Sequence, residues 1–235
     1  MPVIALQGLR GGAGTTSLTA ALSWALNALG ERVLAIDFNA SNHLGLQFNL
    51  PLTEARGWMR AQQEDQDWQQ SAMRYLPGLD FLPYGQQRHA APPQSAVINI
   101  GEWAGRLDRL KKQYAWILLD LTADDTQMAA LASRTLRVMT ADANSHLRLH
   151  QQRFRENTLF LLNQYSATSK LQQDIHQLWL SQLTSLIPLM VHRDEAVAEA
   201  MMMKQPLGEV MPHSLAADEV MTLANWLLLN VQEAA

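Results

Sequence analysis

Gly8-Leu-Arg-Gly-Gly-Ala-Gly-Thr-Thr-Ser17 decides how the rest of this chain is read. An apolar run at residues 3–6 leads into it, and a stretch of helical periodicity at residues 16–29, closed by Gly30, leads out of it. A strand, a glycine-rich turn and a helix in that order make an anion cradle. Glycine lets the backbone bend so that successive N–H groups converge, and the positive end of the helix adds to the attraction. Thr16 stands where a P-loop hydroxyl ligates Mg²⁺. A glycine-rich turn that binds nothing is the plainer reading, but Gly11, Gly12 and Gly14 crowded between a strand and a helix weigh against it.

Outward from the loop, short apolar runs alternate with helical patterns. Strands are expected at residues 32–36, 79–82, 116–119, 136–140, 158–162 and 186–188, and helices at 65–75, 103–112 and 218–231. That alternation predicts an α/β fold: a mainly parallel twisted sheet in three layers, with helices on both faces. Residues 87–94, which include two prolines, are expected to form an exposed loop. No internal repeat or composition shift divides the chain, so residues 1–235 are read as a single P-loop domain.

Composition narrows the function classes. Of 235 residues, 48% are hydrophobic and 17% charged, which suits a soluble globular chain rather than a disordered one. A net charge of −4 argues against a general nucleic-acid binder. The absence of cysteine excludes disulfides and thiolate zinc sites. No apolar stretch reaches the ~18 residues of a membrane helix, and the apolar run before the first glycines is too short for a signal-peptide core. A cytoplasmic location is compatible with all of this, with any membrane association made through partners.

Ligands of α/β sheets bind at the carboxyl ends of strands. Asp37 and Asn39 lie at such an end in Ile36-Asp37-Phe38-Asn39, Asp120 closes Trp116-Ile-Leu-Leu-Asp120, and Asn163 closes Leu159-Phe-Leu-Leu-Asn163. Any one of them alone reads equally well as a turn former. In this order, behind this loop, they point to a nucleotide crevice.

The loop Arg10-Gly11-Gly12-Ala13-Gly14-Thr15-Thr16 resembles the deviant Walker A sequence K-G-G-x-G-K-[ST] of the ParA/MinD family of P-loop NTPases, in the SIMIBI class. The resemblance implies ATP and Mg²⁺ as cofactors and a homodimer closed across nucleotide. Residues 10 to 16 and Ser17 would bind phosphate, Asn163 and Pro188 would lie at the adenine, and Thr16, Asp37 and Asp120 would hold the metal. Asp37 and Asn39 correspond to the switch carboxylates of the family's D-x-D, which act in hydrolysis. The signature lysine that reaches across the dimer is Arg10, which keeps the charge and can grip phosphate with two parallel hydrogen bonds. The P-loop lysine is Thr15, which forfeits a charge-assisted contact of roughly 1.5–3 kcal/mol. Asn39 in place of a second carboxylate can orient water but cannot act as a base. Binding is therefore expected to survive better than turnover.

Further tracts narrow the resemblance: His146-Leu-Arg-Leu-His-Gln-Gln152, His192-Arg-Asp-Glu-Ala-Val-Ala-Glu199, Pro206-Leu-Gly-Glu209 and Leu223-Ala-Asn-Trp-Leu-Leu228. These are similar to the BcsQ family, the ParA/MinD-like subunits of bacterial cellulose secretion systems, in which a lysine-less loop is typical. The resemblance implies an ATP-binding regulatory or assembly subunit with weak or slow hydrolysis. It would be cytoplasmic, peripheral to the inner membrane and polar in position. Its partners would be a BcsR-like small subunit, a BcsE-like cyclic-di-GMP sensor and the inner-membrane synthase. The alternative is an active ParA/MinD-type ATPase that positions or partitions cargo at the cell pole or on DNA. His192-Arg-Asp194 also matches a kinase triplet, but the other kinase elements are absent.

Trp24, Trp103 and Trp226 have apolar neighbours at helical spacing and are expected in the core. Met201 to Met203 cannot all face one side of a helix, so at least one is expected at the surface. Arg134, Arg137, Arg148, Arg153 and Arg155, with His146 and His150, read first as a solvated helix face and second as a partner-docking or DNA-facing patch, the acidic overall balance counting against DNA. The last helix lacks flanking basic residues, so a lipid anchor is not expected.

Overall fold

The computed structural model describes residues 1–86 and 98–231; the loop expected over residues 87–94 lies outside them. The described strands are β1 (Val3–Gly8), β2 (Val33–Asp37), β3 (Met73–Leu76), β4 (Leu79–Leu82), β5 (Trp116–Leu121), β6 (Arg134–Met139), β7 (Thr158–Tyr165) and β8 (Leu186–His192). They form one sheet in the order β3-β4-β2-β5-β1-β6-β7-β8, parallel except for the antiparallel edge pair β3–β4. Every residue of β1, β2 and β5 is buried. This is why their sequences are nearly continuous apolar runs: strands covered on both faces have no wet side to make polar.

Side-chain alternation sends Ile4 and Leu6 to one face and Val3 and Ala5 to the other. The first face carries α1 (Thr15–Ala28), α7 (Ala196–Met203), α8 (Leu207–Val210) and α9 (Leu215–Val231). The second carries α2 (Trp58–Gln63), α3 (Ile100–Leu110), α4 (Thr126–Ala129), α5 (Ala143–Gln151) and α6 (Lys170–Gln182). The expected three-layer α/β fold is therefore the observed one. From β1 the chain crosses through α1 to β2 on one side, while β6 pairs with β1 on the other. The carboxyl end of β1 is thus a switch point, where the crevice of such a sheet opens.

The helix expected over residues 65–75 is not there. Asp65 has φ +53°, residues Trp68–Ser71 make a short 3₁₀ turn capped by Asp67, and β3 follows. Pro77-Gly78 turns β3 back onto β4, with Gly78 at φ +87°, so hairpin pairing overrides the local helical pattern. Trp103 is buried, and Trp24 and Trp226 are half-buried against the core. Met201, Met202 and Met203 are all exposed. The basic segment is not one solvated helix face: Arg137 lies on β6 and is only 7% exposed. Among the described residues no helix is long and apolar enough to cross a membrane.

Candidate functional site

The loop keeps contact with the sheet as far as Leu9, whose N–H donates to the Val138 carbonyl at 2.9 Å. It then turns through residues 10–14 into α1. Gly14 ends the turn at φ +86°, and a Cβ there would sit 2.6 Å from Asn163 Nδ2, so both conformation and space demand glycine. From the end of β7, Asn163 donates Nδ2 to the Ala13 carbonyl at 2.8 Å, and Gln164 donates Nε2 to the Gly12 carbonyl at 3.0 Å. These two amides occupy loop carbonyls. The first N–H groups of α1, at Thr15, Thr16 and Ser17, have no intrahelical partner and open on a cavity of about 390 Å³. Gly8, Arg10, Asn39, His43 and Asp120 complete its walls. A second cavity of about 450 Å³ adjoins it at Gly14 and Ser17 and is bounded by Asn163, Gln164 and the His192 to Glu195 turn.

Asp37 and Asp120 are register neighbours at the ends of β2 and β5. Asp37 is fully buried and satisfied: Oδ1 accepts from the Asn39 N–H at 2.8 Å and Oδ2 from the Leu44 N–H at 3.1 Å. Its carbonyl accepts from Trp58 Nε1 at 2.7 Å. It lies behind the cavity rather than in its wall. Asp120 is as deeply buried, yet neither carboxylate oxygen has a hydrogen-bond partner among the described residues. Burial raises the pKa of both groups, and the charge of Asp120 raises Asp37 further. The Thr16 hydroxyl beside Asp120 offsets only part of its shift. A bare carboxylate, a hydroxyl and an anion cradle make the donor set of a hard divalent cation that shares its shell with phosphate oxygens and water. Among the described residues, no cluster of three His, Cys, Asp or Glu could hold a metal alone.

Arg10 folds back on its own chain. Its Nε and Nη2 donate to Asp142 Oδ2 at 3.2 and 2.8 Å, and Nη1 donates to the Gly11 carbonyl at 2.9 Å. Asp142 also caps α5 through Ser145 and accepts from the Thr140 hydroxyl at 2.6 Å. Partial burial opposes its ionisation, but these hydrogen bonds and Arg10 hold its pKa below the usual carboxylate value. Asn39 lines the cavity, with Oδ1 accepting from the Ser41 N–H at 3.1 Å. Pro188 is exposed within β8 and lines neither cavity; the residues that bound the second cavity there are Val191 to Glu195. His192 is pinned by Glu219, with Nδ1 and Oε1 2.5 Å apart, and Asp194 caps the amides of Ala196 and Ala216. The His-Arg-Asp triplet is thus a loop fastening.

Sequence reasoning missed Gln164, Asp142, Glu219 and His43. Gln164 follows Asn163 at a strand end, which is a usable signal, but its φ of +56° is not readable from a glutamine. The other three meet the site only through the fold.

The profile of the family described as cellulose biosynthesis protein BcsQ matches residues 1–228. The cellulose biosynthesis protein BcsQ of Salmonella typhimurium is 46% identical over 238 residues, covering 98% of this chain and 95% of the relative. Among solved structures, MinD in the MinC:MinD cell division complex of Aquifex aeolicus superposes with a TM-score of 0.79 at 20% identity, covering 98% of this chain and 96% of that one. The septum site-determining protein MinD of Pyrococcus horikoshii, complexed with Mg-ADP, gives 0.76 at 20% identity, covering 98% of each chain. With a fold shared with MinD and a family match along nearly its whole length, the chain belongs to the BcsQ family of cellulose biosynthesis proteins.

Proposed function

We propose that this chain is an ATP-binding assembly subunit of the cellulose secretion machinery that dimerises across nucleotide and hydrolyses it slowly. The observation that carries the reading is Asp120, a buried carboxylate with no hydrogen-bond partner among the described residues, facing a glycine loop whose N–H groups converge on the same cavity. Triphosphate would lie along Gly11 to Ser17, and the base would enter the second cavity between Asn163 and the His192 to Glu195 turn. Asn163 Nδ2 donates to the loop, and its carbonyl oxygen, the acceptor of the amide, would take the exocyclic amine of adenine. Thr16 and Asp120 would hold Mg²⁺, which neutralises phosphate charge. Asp37, its oxygens tied to the switch backbone, would set the position of Asn39 and Leu44 and add charge behind the metal.

Three features support gating over turnover. Thr15 supplies no cation to the phosphates, and Asn39 supplies no base. Arg10, bound to Asp142 in the single chain, must exchange that partner for phosphate on the second copy before a dimer closes. The dimer would present its surface to a BcsR-like subunit, a BcsE-like sensor and the synthase, from the cytoplasmic side of the inner membrane. Titration of fluorescent ATP with and without Mg²⁺ tests the site, and absence of saturable binding overturns it. Phosphate release as fast as that of lysine-bearing relatives would favour the cargo-positioning ATPase instead.

A further inference from the structure

On the face of the sheet opposite α1, a cavity of about 340 Å³ lies between α4, β6, the start of β7 and the segment joining α5 to β7. Its residues run against what a sheet face should bury. Gln7 and Arg137 are register neighbours on β1 and β6, and Thr135 lies beside them on the same face. Gln7 Oε1 is buried with no partner among the described residues. Arg137 is 7% exposed, and among the described residues no carboxylate is within ion-pair distance of it. Its Nη1 donates to the Gly8 carbonyl at 3.4 Å and the Ala123 carbonyl at 3.2 Å, and the guanidinium lies 5.6 Å from the Phe154 ring centroid. Its Nε–Nη2 edge, the one that grips phosphate with two parallel hydrogen bonds, takes no partner among the described residues. Burial lowers its pKa to about 10, and the charge of Asp124 opposes that shift only in part.

A buried guanidinium with one free edge is costly unless an anion completes it. The mouth of the same cavity carries Arg153 and Arg155, both exposed, on the extended segment that places Phe154 beneath Arg137. Three arginines thus converge in a chain whose net charge is −4. The threonines at 126, 135 and 158 add hydroxyl donors to the walls.

We propose that this cavity is a second anion site that takes a small ligand of the diphosphate class, with Arg137 at its floor and Arg153 and Arg155 at its mouth. The space exceeds a single phosphate, and three guanidinium groups border it, so two linked phosphoryl groups fit the donors better than one. Because Arg137 also holds the Gly8 carbonyl, the ligand would bear on the start of the glycine loop. That coupling rests on the nucleotide reading above; the site itself does not.

Calorimetric titration with inorganic pyrophosphate tests the site in a Thr15→Glu background, where an added carboxylate repels phosphate from the glycine-loop cavity. One saturable event per chain is expected to remain. Adding Arg153→Ala and Arg155→Ala, both exposed and so compatible with folding, should weaken it about tenfold or more, as loss of charge-assisted contacts predicts. Pyrophosphate should also raise the melting temperature of the Thr15→Glu chain and fail to raise that of Arg137→Gln in the same background. No binding in the Thr15→Glu chain overturns the proposal, as does binding unchanged by the double arginine variant. So does capture of an acidic peptide without pyrophosphate, which would make the cavity a protein-docking site. Failure of ATP to bind wild type would leave this result standing and count only against the nucleotide reading.

Discussion

Two cavities on this sheet bury charge of opposite sign. In the glycine-loop cavity, Asp120 is shut away with neither oxygen partnered among the described residues and Asp37 directly beside it. In the cavity across the sheet, Arg137 is shut away with one edge unpartnered among the described residues. Both meet at Gly8, whose residue lines the first and whose carbonyl accepts from Arg137 in the second. A chain retains uncompensated buried charge at a cost in stability, and such groups concentrate where a ligand brings the complement. The first cavity asks for a cation carried by phosphate, the second for phosphate itself. They differ in how they are assembled: eight residues from one short stretch, 8–17, make most of the first, whereas four separate elements make the second.

The largest effect should come from removing the bare acid. Asp120→Asn is expected to weaken Mg²⁺-dependent nucleotide binding roughly 10–100-fold, the usual loss for a group that orders a metal's shell. It should also stabilise the ligand-free chain. The sign follows from the raised pKa of both carboxylates: their protonated forms suit the fold. That contribution is complete below the ordinary carboxylate value of about 3.9 and is lost as pH rises through the folded-state value, about 7 for Asp120. Wild type should therefore lose stability relative to Asp120→Asn as pH rises from 5 to 8. The variant should gain on the order of 1–3 kcal/mol at the upper end, the cost of a buried polar group without a partner. His176, whose pKa burial lowers, works in the opposite direction but is common to both chains and cancels in the difference. Denaturation curves at several pH values measure this, and parallel pH profiles would break the comparison.

Thr15→Lys sharpens the same cavity from the other side by adding the missing cation. Thr15 lines the wall, so a lysine there should tighten triphosphate by roughly 1.5–3 kcal/mol, about 10–100-fold. Phosphate release should rise while the base-side cavity is unchanged. An affinity equal to wild type would mean that this loop positions phosphate by backbone alone.

How these cavities appear in the sequence follows from their assembly. The glycine loop, Asp37, Asp120 and Asn163 could be placed because local signals mark each: glycines at a βα turn, polar residues closing apolar runs. The same signals gave the parallel sheet, since strands buried on both faces must be continuously apolar. The edge hairpin was misread because Met73-Arg-Tyr-Leu76 has a weak pattern of its own and becomes a strand only by pairing with β4; Pro77-Gly78 was the overlooked mark. Pro188 stands beside the base only by resemblance; in the fold it is exposed on β8 and outside the lining of the second cavity. Arg137 looked like one member of a basic stretch. Nothing local tells an arginine on a strand that its neighbours will be Gln7 and Phe154.

Within the glycine loop, Gly14 and Gly11, three residues apart, should behave differently. Gly14→Ala is expected to cost about 1–3 kcal/mol, because it combines φ +86° with a Cβ 2.6 Å from Asn163. At Gly11 a Cβ meets nothing within 4 Å, so Gly11→Ala should stay within about 0.5 kcal/mol of wild type. Urea titration separates the two. Equal losses would show that the clamp from Asn163 and Gln164 does not hold the loop.

Arg10 also has a small effect on stability, and it bears most directly on dimer closure. Its ion pair with Asp142 is about one-third exposed on both sides, so solvent screens it and Arg10→Ala should cost under about 1 kcal/mol. Asp142→Ala should cost more, because it also uncaps α5; Asp142→Asn keeps an acceptor for the Ser145 N–H and removes only the charge. That asymmetry turns a weak interaction into a sharp test. If Arg10 must leave Asp142 to reach phosphate on a second copy, light scattering should show Asp142→Asn dimerising at lower ATP concentration than wild type. Arg10→Ala should stay monomeric at any concentration, although the two variants differ little in melting temperature. Dimers that form equally in both would show that Arg10 serves only to hold α5 against its own loop, and that closure across nucleotide uses some other contact.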